Sequence, residues 1–174
     1  MSVTEAENCT FNAQSASIFA ATVALGLIAG FFYAYEVSVM RGFAILPDRD
    51  FIASMQAVNA TVRNMSFAPS FFGAAFLAAL AALLHMRQWN TPKALCIFAA
   101  AALYSLGGLI LTMQINVPLN QWLADLGPAS AIPDPAAVRL AYEPKWVLWN
   151  LIRTINSTIA FTLMATALWL DGRR

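Results

Sequence analysis

Apolar positions run in four long blocks along this chain, and polar positions gather between them. The blocks cover residues 17–40, 67–84, 94–113 and 146–170. A bilayer core about 30 Å thick takes about 20 apolar residues as helix. The blocks are rich in Ala, Leu, Phe and Ile without period-two alternation, which favours helices over membrane β-strands. Residues 71–84 and 94–111 offer no polar face, as a soluble helix bundle would require. The pattern predicts an all-α membrane protein. Its expected architecture is a four-transmembrane-helix up-down bundle, a single domain over residues 1–174, with short extra helices in the two long connections on one side.

Those connections are residues 41–66 and 114–145. In the first, Pro47 followed by Asp48 and Asp50 reads as a turn and helix start, with either aspartate as cap. A polar-faced helix over 51–64 should follow. In the second, Pro118 lacks an amide proton, so the third span is expected to break there, by a kink or a restart of the helix. Residues 127–135 read as a loop, and 136–145 as a short helix interrupted at Pro144.

Composition agrees with the pattern. The chain is 60% hydrophobic and 11% charged, with a mean hydropathy of +0.63. Soluble domains carry about 25% charged residues. A net charge of +1 gives no footprint for nucleic acid. Residues 1–17 contain Glu5 and Glu7 but no Lys or Arg, so the first span is expected to be retained rather than cleaved as a signal. Four spans put both termini on one side. The short turn 85–93 carries Arg87 and Lys93 without an acid, which predicts cytoplasmic termini in an inner or plasma membrane.

The chemical inventory is narrow. Cys9 and Cys96 form no Cys-x-x-Cys pair, and His85 is the one histidine. Thiol–disulfide chemistry, bis-histidine haem and histidine-rich metal sites are therefore not expected. No phosphate loop or dinucleotide fingerprint occurs, so no metal or cofactor is expected. Of the Asn-x-Ser/Thr matches at Asn8, Asn59, Asn64 and Asn156, the last lies inside a span, which speaks for chance. The small-residue runs at Gly26–Gly30 and Gly107–Gly108 suit helix contacts within a bundle or in a homo-oligomer.

One end of the expected bundle concentrates the polar residues. Gln56, Asn59 and Arg63 fall at i, i+3 and i+7; Trp146, Trp149 or Asn150, Arg153 and Asn156 repeat such a stripe on the fourth span. Tyr33, Glu36 and Met40 do so on the first. A charge inside the bilayer costs a few kcal/mol or more unless paired or wet. Glu36 and Arg153 should therefore face inward and pair, with Arg41 and Arg63 as competitors. Such an end could hold a hydrophobic small molecule or a lipid.

Four segments carry a resemblance. They are Gly30-Phe31-Phe32-Tyr33-Ala34-Tyr35-Glu36 with Met40, then Phe51 to Asn59 with Arg63-Asn64. Asn116-Val117-Pro118-Leu119-Asn120 and Trp146-Val147-Leu148-Trp149-Asn150 with Arg153 follow in that order. In these the chain resembles the anthrone oxygenase-like integral membrane family, over about residues 19–170. Some fungal members are associated with oxidising anthrones to anthraquinones; members often have Pro where this chain has Arg41. The resemblance implies a membrane oxidoreductase using dioxygen on an aromatic, polyketide-type molecule. Such chemistry needs a base, a cation or amides for an oxyanion, and an apolar aromatic pocket. Glu36 would be the base, with Arg153 and Arg63 holding the oxyanion. Asn59, Asn116, Asn120 and Asn150 would position phenols, and Tyr33, Trp146 and Trp149 would stack on the rings. The competing expectation is a non-enzymatic module, either a lipid or hydrophobic-ligand binder or an accessory subunit of a larger membrane complex.

Overall fold

A computed structural model describes residues 12–173, which fold into helices joined by short turns and contain no strand. Glu5, Glu7, Asn8, Cys9 and Arg174 lie outside the described residues. The helices are α1 (Ala13–Ala34), α2 (Met40–Ala44), α3 (Asp48–Thr61), α4 (Ala68–Leu84), α5 (Pro92–Tyr104), α6 (Val117–Asp125) and α7 (Pro135–Asp171). Their starts follow local chemistry. Asn12 caps α1 by accepting from the Ser15 amide, Thr91 caps α5 from Ala94, and Asp134 caps α7 from Ala137. A proline at the first turn of α4, α5 and α7 gives up an amide that has no helical partner there.

Three wide π-helical stretches join these pieces. Tyr35–Val39 connects α1 to α2; Ser105–Ile110 and Thr112–Asn116 connect α5 to α6. The expected kink or restart at Pro118 takes the form of a new α segment, α6, that starts at Val117 without a gap in the helix. The helix widens before the proline, and Pro118 enters in the first turn of α6. Pro144 likewise leaves α7 unbroken over 37 residues, about 55 Å. The carbonyl that loses its partner belongs to Leu140, which is 76% exposed. Neither Asp48 nor Asp50 caps α3, whose cap position is Pro47; Asp48 instead accepts from Arg139 Nη1 at 3.0 Å.

Ala13–Ala44, Pro92–Asp125 and Pro135–Asp171 are each long and apolar enough to cross a membrane. Ala68–Leu84 is apolar but has 17 residues, about 25 Å. α1 packs on α4 and α7, and α5 packs on the same two helices. Ile18, Leu25, Ile28, Phe71, Ile97 and Met164 fill the space between them, with alanines from all four helices. Large apolar side chains also point outward, among them Leu27, Phe76, Leu106 and Ile155. Helices apolar on every side are built for lipid, so this is the construction of a membrane protein.

A second core lies where the connections fold over one end. Phe51, Ile52 and Met55 of α3 meet Leu123 of α6 and Tyr142 and Trp146 of α7. Polar anchors fix this cap. Gln56 Nε2 donates to the carbonyls of Leu123 and Gly127 at 2.9 and 2.8 Å. Arg139 donates to the carbonyls of Ala44 and Leu46, and its guanidinium lies 4.5 Å from the centre of the Phe51 ring.

Candidate functional site

Under that cap lies a cavity of about 570 Å³. α1 contributes Phe31 and Phe32, and the following π stretch adds Tyr35. α4 contributes Phe71, and α7 contributes Trp146, Asn150 and Arg153. Asn59 reaches it from α3, Thr112 and Asn116 from the π stretch after α5, and Asn120 from α6. Arg63, Asn64 and Met65 line it and are exposed, as are Phe72 and Met113. The walls are thus mostly aromatic and aliphatic, with a few polar groups converging, as small-molecule sites are built. Among the described residues no three His, Cys, Asp or Glu side chains come together as a metal would need.

The polar groups form two linked sets. In one, Asn150 Nδ2 donates to the Phe32 carbonyl at 3.3 Å and to Glu36 Oε2 at 3.1 Å. Arg153 Nη2 donates to Asn150 Oδ1 at 3.0 Å, and Nη1 to Thr112 Oγ1 at 3.4 Å. In the other, Asn120 Oδ1 accepts from the Tyr142 hydroxyl at 2.7 Å and from Trp146 Nε1 at 3.0 Å. Asn59 Nδ2 donates to the Tyr142 oxygen at 3.2 Å. Asparagine amides thus orient both the cation and the indole.

Arg153 is the central charge. It is 5% exposed and stacks 4.6 Å from the Phe32 ring centre and 5.4 Å from that of Trp146. No carboxylate lies within ion-pair distance of it among the described residues. The expected Glu36–Arg153 pair is therefore indirect, because Asn150 stands between the two groups. Arg153 Nε has no hydrogen-bond partner either.

Several expected site residues fall elsewhere. Glu36 does not line the cavity; its carboxylate stands behind Asn150 and accepts from that amide. Tyr33 is 57% exposed and outside the cavity, and Tyr35 takes the aromatic position instead. Trp149 is half-buried and also outside it. Arg63, Asn59, Asn116, Asn120, Trp146, Asn150 and Arg153 all line it, with Arg63 exposed. Phe32, Thr112 and Tyr142 were not foreseen. Tyr142 extends the α7 stripe one turn back from Trp146, and Thr112 lies four residues before Asn116, so the same spacing rule could have found both.

The sequence model of the anthrone oxygenase family matches residues 61–163, more than half of the chain. The chain belongs to the anthrone oxygenase family. The match runs from the end of α3 into α7 and takes in Arg63, Thr112, Asn116, Asn120, Trp146, Asn150 and Arg153. It leaves out α1 and the π stretch after it, and with them Phe32 and Tyr35, so the matched residues cover one wall of the cavity more fully than the other. No curated protein and no solved structure matches this anthrone oxygenase family member.

Proposed function

We propose that the cavity binds a flat hydrophobic aromatic molecule as its oxyanion, and that the protein promotes oxidation of that molecule by dioxygen. One observation carries the reading. A buried guanidinium without a carboxylate partner sits in an aromatic-walled cavity. Burying a charge without its counter-ion costs several kcal/mol, and an anionic occupant offsets that cost.

The family name points to anthrones, in which a methylene is flanked by two aromatic rings and conjugated to a ring carbonyl. Losing a proton to solvent at the mouth turns this group into an enolate with its charge on oxygen. Arg153 stabilises that oxygen and so favours ionisation. The electron-rich carbon then reduces dioxygen and forms a C–O bond. The proton removed first returns to the resulting peroxide. Loss of water leaves a second carbonyl, so one methylene and one dioxygen give one ketone and one water. Phe32, Tyr35 and Trp146 stack on the rings. Glu36 acts as a positioning residue. By accepting from Asn150 Nδ2 it keeps Asn150 Oδ1 turned towards Arg153.

The test is oxygen uptake by the purified protein with an anthrone. Uptake above the spontaneous rate, with one water formed per ketone, is expected. An uptake equal to the spontaneous rate sinks the enzymatic reading. If the molecule nevertheless binds, the protein is a ligand-binding module of the membrane.

For the frame around this site we propose that α4 also crosses the membrane, giving four spans with both termini cytoplasmic. Arg87 in the short turn after α4 supports this orientation. Tags at either end should resist labelling in right-side-out vesicles and react after permeabilisation; a tag labelled in intact vesicles excludes the arrangement.

A further inference from the structure

We propose that Asn116 selects the occupant by reading a ring hydroxyl, a group that both donates and accepts a hydrogen bond. The inference rests on the aromatic-ligand reading above and deepens it.

Asn116 is 1% exposed and lines the cavity. Neither its Nδ2 nor its Oδ1 has a hydrogen-bond partner among the described residues. The other asparagines that line the cavity are engaged: exposed Asn64 with its own turn, Asn59 with Tyr142, Asn120 with Tyr142 and Trp146, Asn150 with Glu36, Phe32 and Arg153. Three amides hold the site in shape, and one is left over.

A buried amide with both ends unused is a standing cost, and an apolar side chain of the same size would remove it. The position is also locally specified. Asn116 closes the π stretch Thr112–Asn116, just ahead of Pro118. Such wide turns are frequent at functional sites. A side chain that costs stability at a cavity wall points to an occupant that completes it.

The chemistry of the amide narrows that occupant. Nδ2 donates and Oδ1 accepts. A ring ether can only accept, so it leaves Oδ1 unpaired. A ring hydroxyl answers both atoms. Arg153 then takes the oxyanion and Asn116 a neutral hydroxyl elsewhere on the ring system.

The experiment measures binding of two probes, a hydroxyanthraquinone and its methoxy counterpart, to the full chain in detergent by quenching of tryptophan fluorescence. Neither probe can be oxidised at the methylene, so turnover plays no part. The wild type should prefer the hydroxy probe about tenfold or more. Asn116→Leu should abolish the preference and raise the melting temperature of the ligand-free protein. Asn116→Thr, whose hydroxyl also donates and accepts, should keep part of the preference and serves if the leucine variant does not fold. Equal binding of both probes by the wild type overturns the inference, as does a preference that survives Asn116→Leu. A leucine variant that melts lower and loses both probes equally assigns the amide to the structure, through a bound water, and overturns it as well. Failure of either probe to bind the wild type takes the aromatic-ligand reading down too.

Discussion

Replacing Arg153 with Met should leave a folded protein that no longer holds an oxyanion. The guanidinium is buried, donates to Thr112 and Asn150, and has no carboxylate within ion-pair distance. Removing a buried charge that has no counter-ion relieves its desolvation cost, which offsets the loss of its bonds to Thr112 and Asn150. The melting temperature should hold or rise. Binding should change in a charge-selective way. A hydrogen bond to a charged group is worth about 1.5–3 kcal/mol, so affinity for a phenolate probe should fall about 10–100-fold. Affinity for the same probe kept neutral at lower pH should change little. Oxygen uptake with an anthrone should fall about 100-fold or more, the effect of removing one preorganised group facing a developing oxyanion. Arg153→Lys keeps the charge but not the planar fork that reaches Thr112 and Asn150 together, so it should fall between the two. Fluorescence titration on either side of the phenol's ionisation provides the measurement. A Met variant that binds phenolate like the wild type removes Arg153 from the site.

The location of this site was legible because helical spacing is rigid. Trp146, Asn150 and Arg153 share one face of α7 by position alone, and the structure turns that face inward. The phase of α1 was harder to read. Its buried positions include Ile18, Ala21, Leu25, Ile28 and Phe32, and that stripe leads on to Tyr35 rather than Tyr33. α1 is apolar on all sides, so no polar face marks which residues turn inward. Of the stripe read as Tyr33, Glu36 and Met40, only Tyr33 is out of step: Met40 is buried in the second core and Glu36 meets Asn150. A single-residue offset separates Trp149 from the stripe of Trp146 and Asn150 on α7. The π stretches were not legible at all. They change which carbonyl each amide meets, and no residue type is diagnostic of that. Pro118 was read as a kink or restart; the restart is α6, but the widened turn that leads into it could not be foreseen.

The opposite end of the molecule carries the other large expected effect, and sequence gave it too little weight. By sequence Lys93 falls in the short acid-free turn 85–93, where it counts only as a charge that orients insertion. Folding instead brings it against Asp171, 78 positions away. Lys93 Nζ lies 2.8 Å from Asp171 Oδ1, with the two side chains 7% and 10% exposed. The Ser15 hydroxyl donates to Asp171 Oδ2 at 2.6 Å, so the first turn of α1, the first turn of α5 and the last turn of α7 are tied together. Breaking a buried pair by removing one partner commonly costs about 3–5 kcal/mol, because the remaining charge is left without compensation. Lys93→Met should therefore lower stability by about that amount, and Asp171→Leu similarly, in denaturant melts of the detergent-solubilised protein. The double variant Lys93→Met/Asp171→Leu should recover most of the loss, since two apolar side chains replace two compensated charges. The cycle of single and double variants isolates the coupling from each side chain's other contacts. Additive losses in the double variant would mean that the charges act separately. A neutral Lys93→Met would mean that water or lipid headgroups already screen the pair. The coupling also bears on the cavity. α1 and α7 are tied at this end by the Ser15–Asp171 bond, and at the other end they supply Phe32 and Arg153 to the site. If the tie holds α7 in register against α1, the single variants should weaken phenolate binding as well, and the double variant should restore it.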